Sequence, residues 1–258
     1  MRVILLYLSY DGTNFCGWQK QEHENQKEKV RTVQEVLERA LEIIHKQKVS
    51  VQGSGRTDSG VHARYQAATF ISPIDSIPVE NYVSAINSSL PSDVRIQSAS
   101  IVPEGFNARF SAVSRTYRYF ISCSKTPFAH QMPYIWSLRR FPDIAVLNDM
   151  ASLLQGEMDC AAFCASGDKS LSTCRYIYHA GFFMEGDNLV FEICANAFLW
   201  KMVRSIVGTL IDYEFKGCGA NEFKQLLESK NRSLAGQTAP AAGLFLWNVS
   251  FSGSRVHP

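Results

Sequence analysis

The segment Gly53-Ser-Gly-Arg-Thr-Asp-Ser-Gly-Val-His-Ala63 separates two short β-like runs, Val49-Ser-Val51 and Ala67-Ala-Thr-Phe-Ile71. Three of its residues are glycine, which is used where the backbone takes a positive φ or where another molecule approaches closely. We therefore predict a tight turn at the edge of a sheet, carrying Arg56 and Asp58. An ordinary turn is the alternative interpretation, since Asp-Ser-Gly favours turns without any catalytic role.

The elements around this turn alternate in a regular order. A strand is predicted at residues 2–10, and Thr32-Val-Gln-Glu35 has the form of a capping box that begins an amphipathic helix. Pro78 begins a second helix through about Leu90, and a further strand follows at 94–102. The order β-α-β-β-α-β predicts the split unit of ferredoxin-like folds, an antiparallel sheet with helices on one side.

The rest of the chain repeats this theme with longer connections. Strands are predicted at 115–122, 174–183, 189–195 and 244–251, and helices at 143–154, 197–213 and 221–230. We therefore predict an α+β fold of two ferredoxin-like halves, residues 1–104 and 105–258, with an extended, mainly antiparallel sheet and a cleft between the halves.

The composition excludes several classes of protein. A chain of 258 residues with 46% hydrophobic and 19% charged residues is globular rather than disordered or collagen-like. No run of 18 apolar residues occurs and the apolar start is too short for a signal peptide, so we expect a cytoplasmic protein without a membrane span. The seven cysteines have no regular framework and are expected to be reduced. Cys160, Cys164, Cys174 and His179 match no familiar zinc spacing, so no metal is expected.

A basic segment directly follows the predicted boundary at residue 104. Residues 106–142 contain no acid, and their Lys and Arg residues alternate with aromatic residues. This combination offers both neutralisation of phosphates and flat surfaces for bases, although a solvated strand face would have the same composition.

Asp58 alone is compatible with several roles: nucleophile, general base, metal ligand or turn cap. Only His62 is available nearby as a second metal ligand, and no Gly-x-Ser-x-Gly motif occurs for a Ser/His/Asp triad. A single carboxylate beside an arginine suits covalent or base catalysis, and an arginine within a few ångströms would keep the carboxylate ionised.

Seven blocks in order along the whole chain resemble the bacterial TruA family of tRNA pseudouridine synthases. These blocks are Asp11-Gly-Thr-Asn-Phe-Cys-Gly-Trp-Gln19, Thr32-Val-Gln34, Gly55-Arg-Thr-Asp-Ser-Gly-Val-His-Ala63, Ala108-Arg-Phe-Ser-Ala112, Thr116-Tyr-Arg-Tyr119, Met202-Val-Arg-Ser-Ile-Val-Gly-Thr-Leu210 and Ala239-Pro-Ala-Ala-Gly-Leu-Phe-Leu246. The resemblance implies isomerisation of uridine to pseudouridine at positions 38, 39 and 40 of the tRNA anticodon stem and loop. It also implies a homodimer with tRNA across both subunits, and no cofactor or metal.

The resemblance also implies roles for individual residues. Asp58 would be the catalytic acid, either attacking C1′ or removing the C2′ proton, and Arg204 would pair with it. Tyr117 would lie against the target uracil, and Arg56 would help to extrude the nucleotide and fill its space. The remaining substrate-binding candidates are Leu244 as an apolar wall and Arg109, Arg115 and Arg118 as phosphate contacts.

Two positions depart from the family pattern. Asn107 stands where His or Asp is usual, and Ser205 stands where Asn often follows Met-Val-Arg. The polar stretch at 19–29 also lengthens the first loop, which we expect to be mobile. A non-catalytic RNA-binding protein and a synthase acting on another RNA are the alternative functions, and the combination of Asp58, Arg56, Tyr117 and Arg204 favours an enzyme.

Overall fold

The computed structural model describes residues 2–20, 30–254 and 256. The chain forms two compact units, Met1–Ala112 with Phe245–Ser252 and Val113–Leu244 with Gly253–Pro258. The first unit thus ends eight residues after the predicted boundary at 104, and a late segment of the chain returns to it. Residues 21–29 of the predicted mobile loop lie outside the described residues.

The first unit has the predicted β-α-β-β-α-β order. Its elements are β1 (Arg2–Tyr10), α1 (Val33–His45), β2 (Gln52–Gly53), β3 (His62–Ser72), α2 (Asn81–Ser89) and β4 (Val94–Val102). Strands β1, β3 and β4 pair antiparallel in the order β4-β1-β3, and β2 pairs antiparallel with β3. This is the strand order of a ferredoxin-like split unit.

Helix α1 confirms the capping prediction. The Thr32 side chain accepts a hydrogen bond from the Glu35 N–H at 3.4 Å, and the helix ends at Lys46 in the left-handed conformation. One face of the helix is buried, and the ring of His45 on this face packs edge-on against Phe70 of β3. Burial lowers the pKa of His45. The helix is therefore fixed on the sheet by the apolar face that its periodicity predicts.

The last strand, β10 (Leu244–Ser250), adds to the first unit at the beginning of β3. Phe245 and Leu246 pair parallel with His62 and Ala63. The pairing lies directly after the Asp58 turn, so a segment from the end of the chain holds one side of that turn.

The second unit is also α+β with a mainly antiparallel sheet. Its elements are β5 (Ser114–Ser122), β6 (Trp136–Ser137), α3 (Ile144–Ser152), β7 (Gly156–Asp159), β8 (Cys174–Glu185), β9 (Asn188–Ala195), α4 (Met202–Phe215) and α5 (Ala220–Ser229). The strand order is β5-β9-β8-β7, with β6 parallel to β5. The α+β prediction is confirmed for both units.

Two predicted helices begin later than the sequence pattern indicated. Helix α2 begins at Asn81 rather than at Pro78, because residues 79–80 form a turn. Helix α4 begins at Met202, whereas the apolar pattern predicted a start at Ala197. Lys201 has a φ of 60° in the left-handed region, and the Met202 N–H bonds to the Leu199 carbonyl at 3.2 Å. Residues 197–201 therefore form a separate turn, and their apolar side chains are buried or exposed individually rather than along one helical stripe. No helix among the described residues is long and apolar enough to cross a membrane.

Candidate active site

The Asp58 turn is a tight reversal that ends with a glycine. The Val61 N–H donates to the Asp58 carbonyl at 3.2 Å, and Gly60 between them has a φ of +77°. A positive φ at the third position is the requirement of a type II turn. The glycine at 60 is therefore required by the backbone of the turn that carries the half-buried Asp58.

The loop that follows β1 holds this turn on both sides of Asp58. The Trp18 N–H donates to the Thr57 carbonyl at 3.2 Å, and the Gly60 N–H donates to the Phe15 carbonyl at 3.2 Å. The Phe15 and Trp18 side chains are almost fully buried. Because one bond precedes Asp58 and the other follows it, the backbone of the carboxylate is clamped between two fixed points.

Two glycines allow these loops to touch. A Cβ on Gly12 would lie 2.0 Å from the Val61 carbonyl oxygen, and one on Gly17 would lie 2.5 Å from the Thr57 carbonyl oxygen. Gly17 also has a φ of +89°. Neither position can take a side chain without moving the Asp58 turn.

His62 fastens the far end of the turn. Its buried Nδ1 accepts a hydrogen bond from the Gly12 N–H at 2.9 Å, and its ring stacks on Phe245 at 4.6 Å between centroids. Nδ1 therefore serves as the acceptor that joins His62 to the loop after β1. The Asp11 carboxylate, 3.2 Å from Nδ1, instead accepts from the backbone and hydroxyl of Thr13. His62 thus holds the end of the turn in place through these two contacts.

Arg56 lies on the exposed side of the turn. Its Nε donates to Gln19 Oε1 at 3.2 Å. Behind it, Ser54 Oγ donates to Gln66 Oε1 at 2.6 Å and Gln66 Nε2 donates to the Gly55 carbonyl at 2.9 Å. The buried Gln66 therefore fixes the backbone that leads into Arg56, while the guanidinium remains at the surface.

Tyr117 is a buried residue of the second unit. It lies on β5 opposite Ile193 of β9, and only 8% of it is exposed. The Phe198 ring packs edge-on against it with centroids 5.1 Å apart and planes at 87°. This contact fixes the plane of the tyrosine ring through the turn that precedes α4.

Arg204 lies in the first turn of α4 and is held by Ala239. Arg204 Nε donates to the Ala239 carbonyl at 2.8 Å, and the Ala239 N–H donates to the Arg204 carbonyl at 3.0 Å. A Cβ on Gly208 would lie only 1.9 Å from the Gln237 carbonyl oxygen, so the 236–239 segment packs directly on the helix. The arginine is therefore oriented by backbone that cannot move away from it.

Tyr119 fixes the next part of the same segment. Its hydroxyl donates to the Pro240 carbonyl at 2.7 Å, and Gly243 lies so close that a Cβ there would be 2.7 Å from its ring. Burial strongly raises the pKa of Tyr119, and the positive charge of Arg204 acts in the opposite direction. The phenol is neutral and serves as a hydrogen-bond donor. It also holds the chain that leads to the buried Leu244.

The three arginines predicted as phosphate contacts have different surroundings. Arg109 is exposed, with its guanidinium 5.5 Å from the Phe110 ring centroid. Arg115 is buried and its Nη1 donates to the Asn196 carbonyl at 2.8 Å. Arg118 donates to Glu192 at 2.6 Å and to a second glutamate, at position 185, at 2.8 Å. Only Arg109 therefore has its charge at an open surface.

The cysteines of the second unit show no metal geometry. Among the described residues, no group of three or more His, Cys, Asp or Glu side chains is arranged to hold a metal ion. Burial raises the pKa of Cys160 to about 12, so its thiol is protonated at neutral pH. The two departures from the family pattern are also placed: Asn107 Oδ1 accepts from the Arg109 N–H at 2.9 Å, and Ser205 is buried in α4.

Sequence reasoning missed the residues that position the candidates. Gly12 and Ala239 lie within the blocks quoted above, and so do His62 and Tyr119. Their positions in these blocks were the available signal. Their roles depend on contacts between segments far apart in the chain, which no local pattern records.

Comparison with known proteins identifies the family. The sequence profile described as tRNA pseudouridine synthase matches residues 7–111 and 150–252. Three relatives, each named tRNA pseudouridine synthase A, cover most of the chain. The protein of Treponema denticola is 58% identical over 96% of this chain and 92% of its own length. That of Treponema pallidum (strain Nichols) is 51% identical over 92% and 84%, and that of Bacillus subtilis is 40% identical over 95% and 97%. The chain therefore belongs to the tRNA pseudouridine synthases, which isomerise uridine to pseudouridine in tRNA.

Proposed function

We propose that this enzyme modifies uridines 38, 39 and 40 in the anticodon stem and loop of tRNA, with Asp58 as nucleophile or base. The observation that carries the proposal is the clamping of the Asp58 turn, with backbone bonds at Thr57 and Gly60 on its two sides. A carboxylate that must meet one carbon or one proton of the target ribose needs such a fixed backbone, because misplacement by about 1 Å can cost about 100-fold in rate.

Both routes open to Asp58 conserve atoms and electrons. In the first, an Asp58 oxygen bonds to C1′ while the C1′–N1 pair leaves with uracil; C5 of the rotated uracil then attacks C1′ and the carboxylate departs. In the second, Asp58 removes the C2′ proton as uracil leaves, and the proton returns to C2′ when C5 adds to C1′. In each route, the C5 proton is finally lost and N1 is protonated. The isomerisation is redox-neutral, so it requires no oxidant or reductant.

Tyr117 is proposed to lie against the uracil while the base is detached. A stacked base gains about 1–3 kcal/mol on an aromatic ring. The edge-on contact with Phe198 supports this role, since it fixes the plane of the ring before substrate arrives. The phenol oxygen can also assist removal of the C5 proton.

Arg204 and Arg56 are proposed as the two cationic partners of the reaction. For Arg204 we take the role that the resemblance implies, an electrostatic partner that keeps the catalytic carboxylate ionised; its bond to Ala239 supports a fixed guanidinium plane. Arg56, exposed on its anchored turn, would occupy the space of the extruded nucleotide. Leu244, which is buried, would give an apolar wall to the uracil site.

Phosphate contacts are proposed first for Arg109, because its guanidinium is exposed. The same role for Arg115 and Arg118 requires that RNA compete with the carbonyl and carboxylates that they now bind. The homodimer with tRNA across both subunits that the family resemblance implies, and the cytoplasmic location expected from the sequence, complete the proposal.

Mapping pseudouridine in unmodified tRNA transcripts tests this function. The enzyme should convert uridines at 38, 39 and 40, and transcripts with cytidine at those positions should remain unmodified. Pseudouridine only at other sites would contradict the proposed positions. Tight binding without any pseudouridine would indicate a non-catalytic RNA-binding protein instead.

A further inference from the structure

Residues 196–204 include Phe198, whose ring packs on Tyr117, and end at Arg204. One large aromatic side chain in this stretch is exposed to solvent. Phe198 contacts Tyr117 and Leu199 is buried, but Trp200 is 45% exposed. The ammonium of Lys201 lies 4.7 Å from the centroid of its indole ring. An exposed tryptophan with an adjacent lysine offers single-stranded RNA a ring on which a base can stack once the ammonium leaves the ring for a phosphate.

The backbone that carries the exposed indole is held in place, through the backbone N–H and carbonyl of Trp200. The Trp200 N–H donates to Asp168 Oδ2 at 2.5 Å, and the Trp200 carbonyl accepts from the Ala165 N–H at 3.2 Å. A Cβ on Gly167, which has a φ of +90°, would be 3.6 Å from the indole. The turn at residues 165–168 therefore binds the backbone of Trp200 and lies close to the Cζ3 edge of its ring. Holding an apolar ring in water gives the free protein no benefit, whereas it lowers the entropy lost on binding.

The backbone of Lys201 is a second, independent observation. Three non-glycine residues among those described have a positive φ: Lys46, Lys201 and Lys230. Lys46 and Lys230 end helices α1 and α5, where the left-handed conformation is common. Lys201 instead precedes helix α4, where no such explanation applies. Strained backbone of this kind concentrates at functional sites, and here it places the lysine next to the indole.

The charges at this pair of residues come from Asp168 and Lys201. Asp168 lies in the turn at residues 165–168, and its two carboxylate oxygens accept from the backbone N–H groups of Trp200 and Ser170. Desolvation raises its pKa, yet hydrogen bonds from Ser170 and Trp200 lower it by more, so it stays ionised as a backbone acceptor. Lys201 takes part in none of the ion pairs formed by the residues that the structure describes. Its charge is available to a phosphate.

We propose that Trp200 and Lys201 bind one nucleotide of the RNA substrate next to the target uridine, with the indole against its base and the ammonium on its phosphate. The inference rests on the proposed function, since it takes tRNA as the ligand and Tyr117 and Arg204 as parts of the catalytic site. Stacking tolerates any base, so this contact contributes affinity and register and does not read the sequence.

Binding of an unmodified tRNA transcript should be measured in the Asp58→Asn background, where turnover does not interfere. Trp200→Ala should weaken binding about tenfold, within the range for one base–aromatic stack. Trp200→Tyr should bind within about threefold of the parent, because a ring remains. Lys201→Ala should lower the slope of log K against log salt by about one. Lys224→Ala, an exposed lysine of α5, is the matched control and should change neither quantity.

Tryptophan fluorescence supplies a readout that a merely structural role would not move. The quench on adding tRNA should fall in Trp200→Phe although that variant still binds. An undiminished quench, or affinity of Trp200→Ala within about twofold of the parent, would overturn the inference while leaving the proposed function intact. If the parent itself does not bind tRNA, the proposed function fails and this inference fails with it.

Discussion

Arg204 and Ala239 exchange two hydrogen bonds, one from the guanidinium Nε to the Ala239 carbonyl at 2.8 Å and one from the Ala239 N–H to the Arg204 carbonyl at 3.0 Å. The side chain and the backbone of one residue are thus tied to the same partner. This arrangement fixes the guanidinium plane. A lysine could reproduce the charge but not the plane.

We expect Arg204→Lys to lower the single-turnover rate about 100-fold, the size of effect seen when one fixed electrostatic donor is removed from an active site. Loss of the bond to the Ala239 carbonyl should also lower the free energy of unfolding by about 1–2 kcal/mol. Single-turnover assays and urea unfolding of the same preparation measure the two effects.

Arg232→Lys is the matched control, because Arg232 holds the same segment through the Gly236 carbonyl and Thr238. It should lose a similar amount of stability and keep its rate within about threefold, since only a structural hydrogen bond changes. Equal rate losses in the two variants would mean that Arg204 acts only by holding residues 236–239.

Asp58→Asn should abolish pseudouridine formation and leave tRNA binding within about tenfold, or 1.4 kcal/mol. The amide keeps the shape of the side chain but can neither attack C1′ nor accept the C2′ proton. Asp75→Asn, at an exposed carboxylate of the same unit, should retain full activity. Measurable turnover by a preparation of Asp58→Asn shown free of parent enzyme would exclude both proposed routes.

Local sequence patterns predicted most of the elements, because they depend on neighbouring residues. The N-cap at Thr32 and the apolar stripe of α1 operate within a few residues, and both are confirmed. The start of α4 was wrong because apolar periodicity continues through residues 197–201, although the left-handed Lys201 interrupts the helix there. Periodicity reports which side chains are apolar, not where the backbone turns.

Local sequence patterns could not predict the contacts that hold the Asp58 turn or those that hold Arg204. Gly12 meets Val61 across about fifty positions, and Ala239 meets Arg204 across 35. Loop closure over these separations is specified by the whole fold, so the glycines could be noted in the sequence while their contacts could not. The same applies to Arg118, whose two glutamate partners come from β8 and β9.

Glycines around the Asp58 turn should separate into structural and functional classes. Gly17→Ala should cost about 2 kcal/mol or more of stability, because alanine strains a φ of +89° and its Cβ would meet the Thr57 carbonyl. Gly55→Ala should be neutral or stabilising by about 0.5 kcal/mol, since no atom lies within 4 Å of the new Cβ. If RNA approaches Gly55, that variant should nevertheless bind tRNA more weakly. Gly55→Ala with unchanged affinity would remove this backbone from the RNA contact.

Salt dependence should distinguish Arg109 from Arg118. Arg109→Ala should weaken tRNA binding and lower the slope of log K against log salt by about one, as for the loss of one phosphate contact. Arg118→Ala should mainly lower stability, because it leaves Glu192 and Glu185 without their shared cation. Binding isotherms at several salt concentrations, with thermal unfolding in parallel, measure both. A lower slope for Arg118→Ala would show that RNA replaces the carboxylates as its partner.

Asp159 should make the second unit sensitive to acid. Its pKa is lowered mainly by the hydrogen bond from Thr173 Oγ1 at 2.6 Å, with Lys230 at 3.0 Å adding to the effect. A folded pKa below the unfolded value of about 3.9 means that the unfolded chain binds the proton more readily. The contribution of the Asp159 carboxylate to stability is therefore complete above about pH 4 and disappears as the pH falls through the folded pKa.

Urea unfolding between pH 3 and 7 should show this loss in the parent, and Asp159→Asn should be less stable at pH 7 with a flatter profile below pH 4. Asp187→Asn, in the exposed turn between β8 and β9, should keep the parent profile. An identical acid profile for parent and Asp159→Asn would show that the carboxylate is not the group responsible.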